Sequence, residues 1–255
     1  MDTIKKFIIY SRSHGLKKAL ARSFLELGKM LDANLVQDRI IPPPHPIFTS
    51  VHVFTLFTEM IRKIDSPKIL EVGSRAVTKD SLYKFLELGS PHQYTGLDIH
   101  DGPNVDKVGD AHELSAFFPG GHFDVIMSKS VFEHLAMPWK VVLEMNTVLK
   151  QNGLLFIHTL HTFPLHEKPW DFWRFSDEAW KVLLNKYTGF EIIETGMEYP
   201  CKIYHWAPGL GPFPYNHEAY LNSNVLARKI GPYDKDLLKW DVSTKDILDS
   251  SYPKP

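Results

Sequence analysis

Apolar residues along this chain fall into two rhythms that take turns, a short dense run and a spacing of three to four. Residues 68–74 (KILEVGS) are a dense run closing on Glu71, Gly73 and Ser74, the pattern of a buried strand entering a tight turn. Residues 80–89 follow with Leu82, Phe85, Leu86 and Leu88 at helical spacing, an acidic or serine start and a glycine stop. Residues 94–99 (YTGLDI) are strand-like again, with Asp98 near the end. The alternation continues with a short strand near 106–109 ending at Asp110 and a helical stretch AHELSAFF. Next come a strong buried strand at 123–128 and helices within 131–150, stopped by Asn152-Gly153. Strands are predicted at 154–160, 190–196 and 223–230, with a helix over 176–187 capped by Ser176. Seven strands alternating with helices imply an α/β protein with one doubly wound, mainly parallel, seven-stranded sheet.

Upstream, residues 1–30 show an amphipathic helical pattern in which seven basic residues face two acids. Such a face could meet an anionic lipid or phosphorylated substrate, but packing on the core or on a second subunit, a homodimer, is the expectation. IPPPHP (41–46) is a stiff linker, and 48–64 reads as a helix feeding the first strand. The expected division is a helical extension over 1–62, a main domain over 63–232 with an aromatic insertion near 199–220, and a polar tail over 233–255.

Composition narrows the function. With 255 residues and 44% hydrophobic content, a full core can form, and a net charge of −1 argues against a nucleic-acid partner. Cys201 is the sole cysteine, so neither an internal disulfide nor a thiolate zinc site can be built. No apolar run approaches the roughly 20 residues that span a bilayer, and a soluble, cytoplasmic protein is expected. A strand, glycine turn, helix and second strand with a terminal acid is the half-fold that binds nucleotides. The glycine lets the backbone approach the ligand, and the acid accepts from ribose hydroxyls.

Four stretches in order carry a closer resemblance: EVGSR (71–75), Asp98, GDAHEL (109–114), and FDVIMSKSVFEHL (123–135) followed by VLKQNGLLFI. Together they resemble the class I S-adenosylmethionine-dependent methyltransferases, especially the small bacterial kind that modify sugars and metabolites. The similarity covers about 68–230 and implies the Rossmann-like methyltransferase fold, with S-adenosylmethionine as cofactor and S-adenosylhomocysteine as product. By that resemblance Glu71, Gly73 and Ser74 hold the methionine part, Asp98 the ribose with Ile99 beside adenine, and Asp110 with the Ala111 N–H the adenine amino group. Ser128, Lys129 and Ser130 would line the methionine and its methyl group. The family's first turn carries further glycines where Arg75 and Val77 stand here; either Arg75 pairs with the methionine carboxylate or the turn is wider.

The run HTLHTFPLHEKPWDFWRFS (158–176) leaves the carboxyl end of a central strand and is expected to roof the methyl group. It resembles a run in a bacterial subset of the family, with His166, Glu167, Pro169, Asp171, Phe172, Trp173, Arg174 and Phe175 in sequence. Glu133, Trp170, Trp173, Arg174, Tyr204 and Trp206 are the candidate acceptor contacts. A second reading has Asp171 and Arg174 tying the loop down as an ion pair with Trp173 in the core, and His158 pointing into the sheet. A hydroxyl acceptor must lose a proton, which histidine suits near neutral pH; His166 is the first choice of base and His161 the second. An anionic acceptor would need no base. The histidines offer metal ligands without diagnostic spacing, and no metal is expected. The function expected is O-methylation of a sugar, nucleotide-sugar or small phosphorylated metabolite, in bacterial surface-polysaccharide or secondary metabolism. A non-catalytic protein on the same fold is the alternative. A nicotinamide dehydrogenase fits less well, because EVGSRAV lacks G-x-G-x-x-G.

Overall fold

The structure is a computed structural model that describes residues 49–77, 91–201 and 219–238, with Leu16, Lys17 and Leu20 toward the N-terminus. The chain divides into two units, 1–47 and 48–255. In the second unit the elements run α1 (Thr49–Ile61), β1 (Lys68–Val72), β2 (Gln93–Asp98), β3 (Lys107–Val108) and α2 (Leu114–Phe117). They continue with β4 (Phe123–Lys129), α3 (Pro138–Val148), β5 (Leu149–Leu160), α4 (Asp177–Leu183), β6 (Phe190–Cys201) and β7 (Ala219–Lys229). The seven strands form one sheet in the order β3-β2-β1-β4-β5-β7-β6. The pairs from β3 to β5 are parallel, and β7 runs antiparallel to both β5 and β6.

Strands buried on both faces explain the dense apolar runs. Leu70, Val72, Ile126, Leu155, Ile157 and Val225 pack toward Val141, Val142 and Met145 of α3 and Trp180 of α4. The intervening residues Ile69, Val125, Met127, Leu154, Phe156 and Leu226 pack with Val53, Phe57 and Ile61 of α1. Phe57 stacks on Phe156 at 4.8 Å between centroids, so α1 is seated on the sheet by ring packing as well as by burial. It therefore belongs to the sheet unit, although the sequence groups it with the N-terminal extension.

Several elements differ from their sequence-based bounds for local reasons. The helical stretch after Asp110 begins as a 3₁₀ turn, Ala111–Glu113, because the Asp110 carboxylate caps the His112 N–H. The stretch 131–150 splits into a 3₁₀ turn, Phe132–His134, and α3, which begins at Pro138, a residue suited to the first helical turn. β6 and β7 pair out to Pro200↔Tyr220 and Cys201↔Ala219, so both ends of the expected 199–220 loop belong to strands. Pro200 is tolerated there because β6 is the edge strand. The helix expected over 80–89, the aromatic residues Tyr204 and Trp206, the 41–46 linker and most of the N-terminal and C-terminal segments lie outside the described residues.

Candidate active site

A cavity of about 480 Å³ opens at the carboxyl ends of β1, β2 and β4. Ligands of doubly wound sheets sit at this edge, where loops leave the strands and free N–H and carboxylate groups face solvent. Of the residues expected to hold a cofactor, Glu71, Gly73, Arg75, Asp98, Ile99, Asp110, Ala111 and Lys129 line it.

The turn after β1 is shaped by Gly73, whose φ of +82° favours glycine and whose added Cβ would lie 2.0 Å from Val131 Cγ2. The Gly73 and Ser74 amides both donate to the Leu97 carbonyl, which folds the turn onto the end of β2. Asp98 sits at that end. One of its oxygens accepts the His100 N–H at 3.0 Å and the other the Arg75 N–H at 3.1 Å. Two carboxylate oxygens have about four acceptor sites, so capacity for a pair of hydroxyls remains. Arg75 Nε lies 3.8 Å from Asp98 Oδ1, so the guanidinium stands beside this acid.

At the next strand end, Asp110 Oδ1 lies 2.6 Å from His112 Nδ1. His112 Nε2 accepts the Met137 N–H at 3.1 Å, so the ring proton is on Nδ1 and donates to Asp110. This buried histidine fixes the acid in place. Nothing in its local sequence marks it, since its second partner is 25 residues away.

Glu71 is buried and its carboxyl is pushed up to about 7, chiefly by desolvation, although the Tyr94 hydroxyl donates to it. The folded protein thus holds a proton on Glu71 between its ordinary value of 4.5 and about 7, where the unfolded chain has released it. The Glu71 contribution to stability is therefore full below that window and falls as pH rises through it, by on the order of 3 kcal/mol. Glu71→Gln should flatten this slope. If the difference in thermal stability between the two proteins is the same at pH 5 and pH 8, burial does not govern this carboxyl.

The other end of the cavity is formed by Ser130, Val131, His134 and Leu135 from the β4 turn and by His166, Glu167 and Trp170 from the 158–176 loop. Backbone bonds join the two segments. The Glu133 carbonyl accepts the Phe172 N–H at 2.8 Å and the Trp173 N–H at 3.1 Å. The Asp171 side chain has no exposed surface. Its oxygens take two bonds from Arg174, at 2.5 and 2.9 Å, and the His166 backbone N–H at 2.8 Å. Those bonds hold its carboxyl well below the usual carboxylate range. His166 Nδ1 lies 3.3 Å from the same carboxylate but makes no hydrogen bond to it. The His134 Nδ1–H donates to the Trp170 carbonyl, and its Nε2 lies 3.9 Å from Glu167 Oε2.

Several expected contacts lie elsewhere. Ser74 is buried away from the cavity, and Ser128 is buried with its hydroxyl donating to the Val72 carbonyl at 3.1 Å. Trp173 packs against the core and donates its indole N–H to the Leu135 carbonyl, and Arg174 is the loop fastener. His161 contacts the Phe175 carbonyl through Nδ1 at 2.9 Å and is not part of the cavity wall. Glu133 is fully buried behind the histidines, one oxygen accepting the Thr159 hydroxyl at 2.5 Å. His158 points into the protein, 2.6 Å from Glu198 of β6.

Comparison with known proteins adds the chemistry. Residues 70–157 match the family model described as a methyltransferase domain. The matched stretch runs from β1 into β5, about a third of the chain. A methyltransferase of this kind from Archaeoglobus fulgidus superposes with a TM-score of 0.51 at 14% identity, over 70% of this chain and 93% of that one. A chain from a Haloferax volcanii complex containing the Trm112 methyltransferase activator gives 0.50 at 15% identity, over 72% and 90%. At these identities the likeness is one of fold. A search of curated proteins finds none that matches. The Archaeoglobus fulgidus protein is dependent on S-adenosylmethionine, which leaves S-adenosylhomocysteine when its methyl group is transferred. The residues present fit that group: a glycine turn that a Cβ would block, Asp98 with acceptor capacity for a diol, and the oriented acid Asp110. Among the described residues, no helix is long and apolar enough to cross a membrane.

Proposed function

We propose that this protein methylates a hydroxyl group of a small polar molecule, of the sugar, nucleotide-sugar or phosphorylated-metabolite class. The observation that carries the reading is His166, at the cavity wall with its Nδ1 side 3.3 Å from a fully buried carboxylate. Asp171 is locked by Arg174 and holds the His166 backbone N–H, which keeps this imidazole at the cavity wall, where it can accept a proton. Bound S-adenosylmethionine supplies an activated methyl group. Asp98 and Asp110 hold the adenosyl part, Gly73 admits the methionine part to the backbone, and Lys129 and Ser130 stand where β4 ends. Trp170 is a buried aromatic at the wall, suited to the apolar face of a sugar ring. In-line alignment of the acceptor oxygen with the methyl group then supplies much of the acceleration.

Calorimetry with S-adenosylhomocysteine, followed by labelled-methyl transfer to a panel of hydroxyl, carboxylate and phosphate acceptors, tests the proposal. Binding together with label on a hydroxyl acceptor is expected. Binding with no transfer to any member would favour a non-catalytic protein on this fold. Label on carboxylates alone would remove the need for a base.

A further inference from the structure

The end of the cavity that faces the acceptor holds a group the methyl-transfer reading leaves unexplained. Among the described residues, Glu133, His134 and His166 bring one ligand-type atom each to within 4.8 Å of one another. Glu133 has no exposed surface, and while one of its oxygens takes the Thr159 hydroxyl, Oε1 is buried without a hydrogen-bond partner. A buried carboxylate oxygen left so is costly, and the nearby cation cannot supply the bond. All five N–H donors of Arg174 are committed, to Asp171 and to the carbonyls of Phe163, Pro164 and Trp173.

Resting on the methyltransferase reading, we propose that Glu133, His134 and His166 bind a divalent ion of the zinc class, open on the cavity side to an acceptor hydroxyl. Two imidazoles and one carboxylate are a donor set for borderline first-row ions, and three protein ligands leave a position for substrate. The surroundings match what orients metal-binding histidines. His134 donates its Nδ1 proton to the Trp170 carbonyl, and a small turn of the His166 ring would bring its Nδ1, 3.3 Å from Asp171 and unbonded, into a bond of the same kind. Ligand atoms around tetrahedral zinc lie about 3.3 Å apart, so the three must draw in by at most about 1.5 Å. His166, with its side chain 30% exposed on the loop, is the one with room to turn.

In the ion-loaded protein His166 is a ligand, and the acceptor is activated by coordination. A hydroxyl on the ion releases its proton to solvent far more readily than a free one. The oxygen–methyl bond then forms as the sulfur–methyl bond breaks, with its electron pair left on sulfur. In the ion-free protein His166 takes the proton itself.

The test uses full-length protein stripped with chelator and titrated with cobalt(II), whose d–d bands report imidazole coordination, and then with zinc. One ion per chain is expected, with bands that zinc abolishes. His166→Asn and Glu133→Gln should each weaken binding at least tenfold, with thermal unfolding recorded for both. If the buried Glu133→Gln variant does not fold, His166→Asn on the loop decides alone. Absence of bands, or equal binding by wild type and His166→Asn, overturns the proposal. S-adenosylhomocysteine calorimetry on the same samples separates the two readings: cofactor binding without cobalt bands removes only the ion, whereas no cofactor binding removes the methyltransferase reading itself.

Discussion

In chelator-treated protein, His166→Asn is expected to lower turnover with a hydroxyl acceptor by about 10²- to 10⁴-fold, the usual worth of general-base assistance. Affinity for S-adenosylhomocysteine should stay within severalfold, because the bonds that hold Asp98 come from the Arg75 and His100 backbone. Thermal stability should also change little. The His166 side chain is partly exposed, and the bond that anchors this position to Asp171 is made by its backbone N–H, which asparagine retains. A histidine that served only the fold would do the opposite, lowering the melting temperature and scattering its effect over every kinetic constant. Steady-state kinetics beside a melting curve therefore decides the role. Near-normal turnover in the variant would place the base elsewhere or identify an anionic acceptor.

Asp98→Ala carries the second large effect. Two ribose hydroxyls on one carboxylate are charge-assisted bonds worth roughly 1.5–3 kcal/mol each before compensation. At 1.4 kcal/mol per decade, loss of the carboxylate should weaken S-adenosylhomocysteine binding by about tenfold to a few hundredfold. The same side chain also receives the Arg75 and His100 amides, so alanine loosens the turn as well as the ligand. Asp98→Asn keeps an acceptor oxygen for one of these and should fall between. Calorimetric titration of the three proteins orders them; an alanine variant that binds as wild type does would take this acid out of the cofactor site.

Asp98 was legible because it closes a strand-like run, whereas β3 is only the exposed pair Lys107–Val108 and Asp110 was marked by the GDAHEL stretch. Asp98 is the last residue of β2, and Asp110 follows β3 by two. Side-chain direction was harder to read. Ser74 lies in the turn after β1 and Ser128 near the end of β4, and both are buried away from the cavity; along the pleated strand β4 a shift of one residue reverses the facing side. The 158–176 loop has no period at all. Trp170 and Trp173 stand three residues apart in it, and only folding shows that the first meets the cavity while the second reaches the Leu135 carbonyl. His112 and His134 were missed for a related reason. Their chemistry is set by Met137 and by the Trp170 carbonyl, partners 25 and 36 residues away.

The fastening of that loop bears on how such a site diversifies. Its tie to the β4 turn runs through main-chain atoms, the Glu133 carbonyl and the amides of Phe172 and Trp173, and through the Asp171–Arg174 pair. None of these depends on the side chains at Phe163, Leu165 or Glu167, which are exposed. Mutation can therefore resurface this loop, Glu167 at the cavity wall included, while the frame keeps its shape. A lineage built on this scaffold can exchange acceptors by substitution at the rim and leave the methyl-donor side intact.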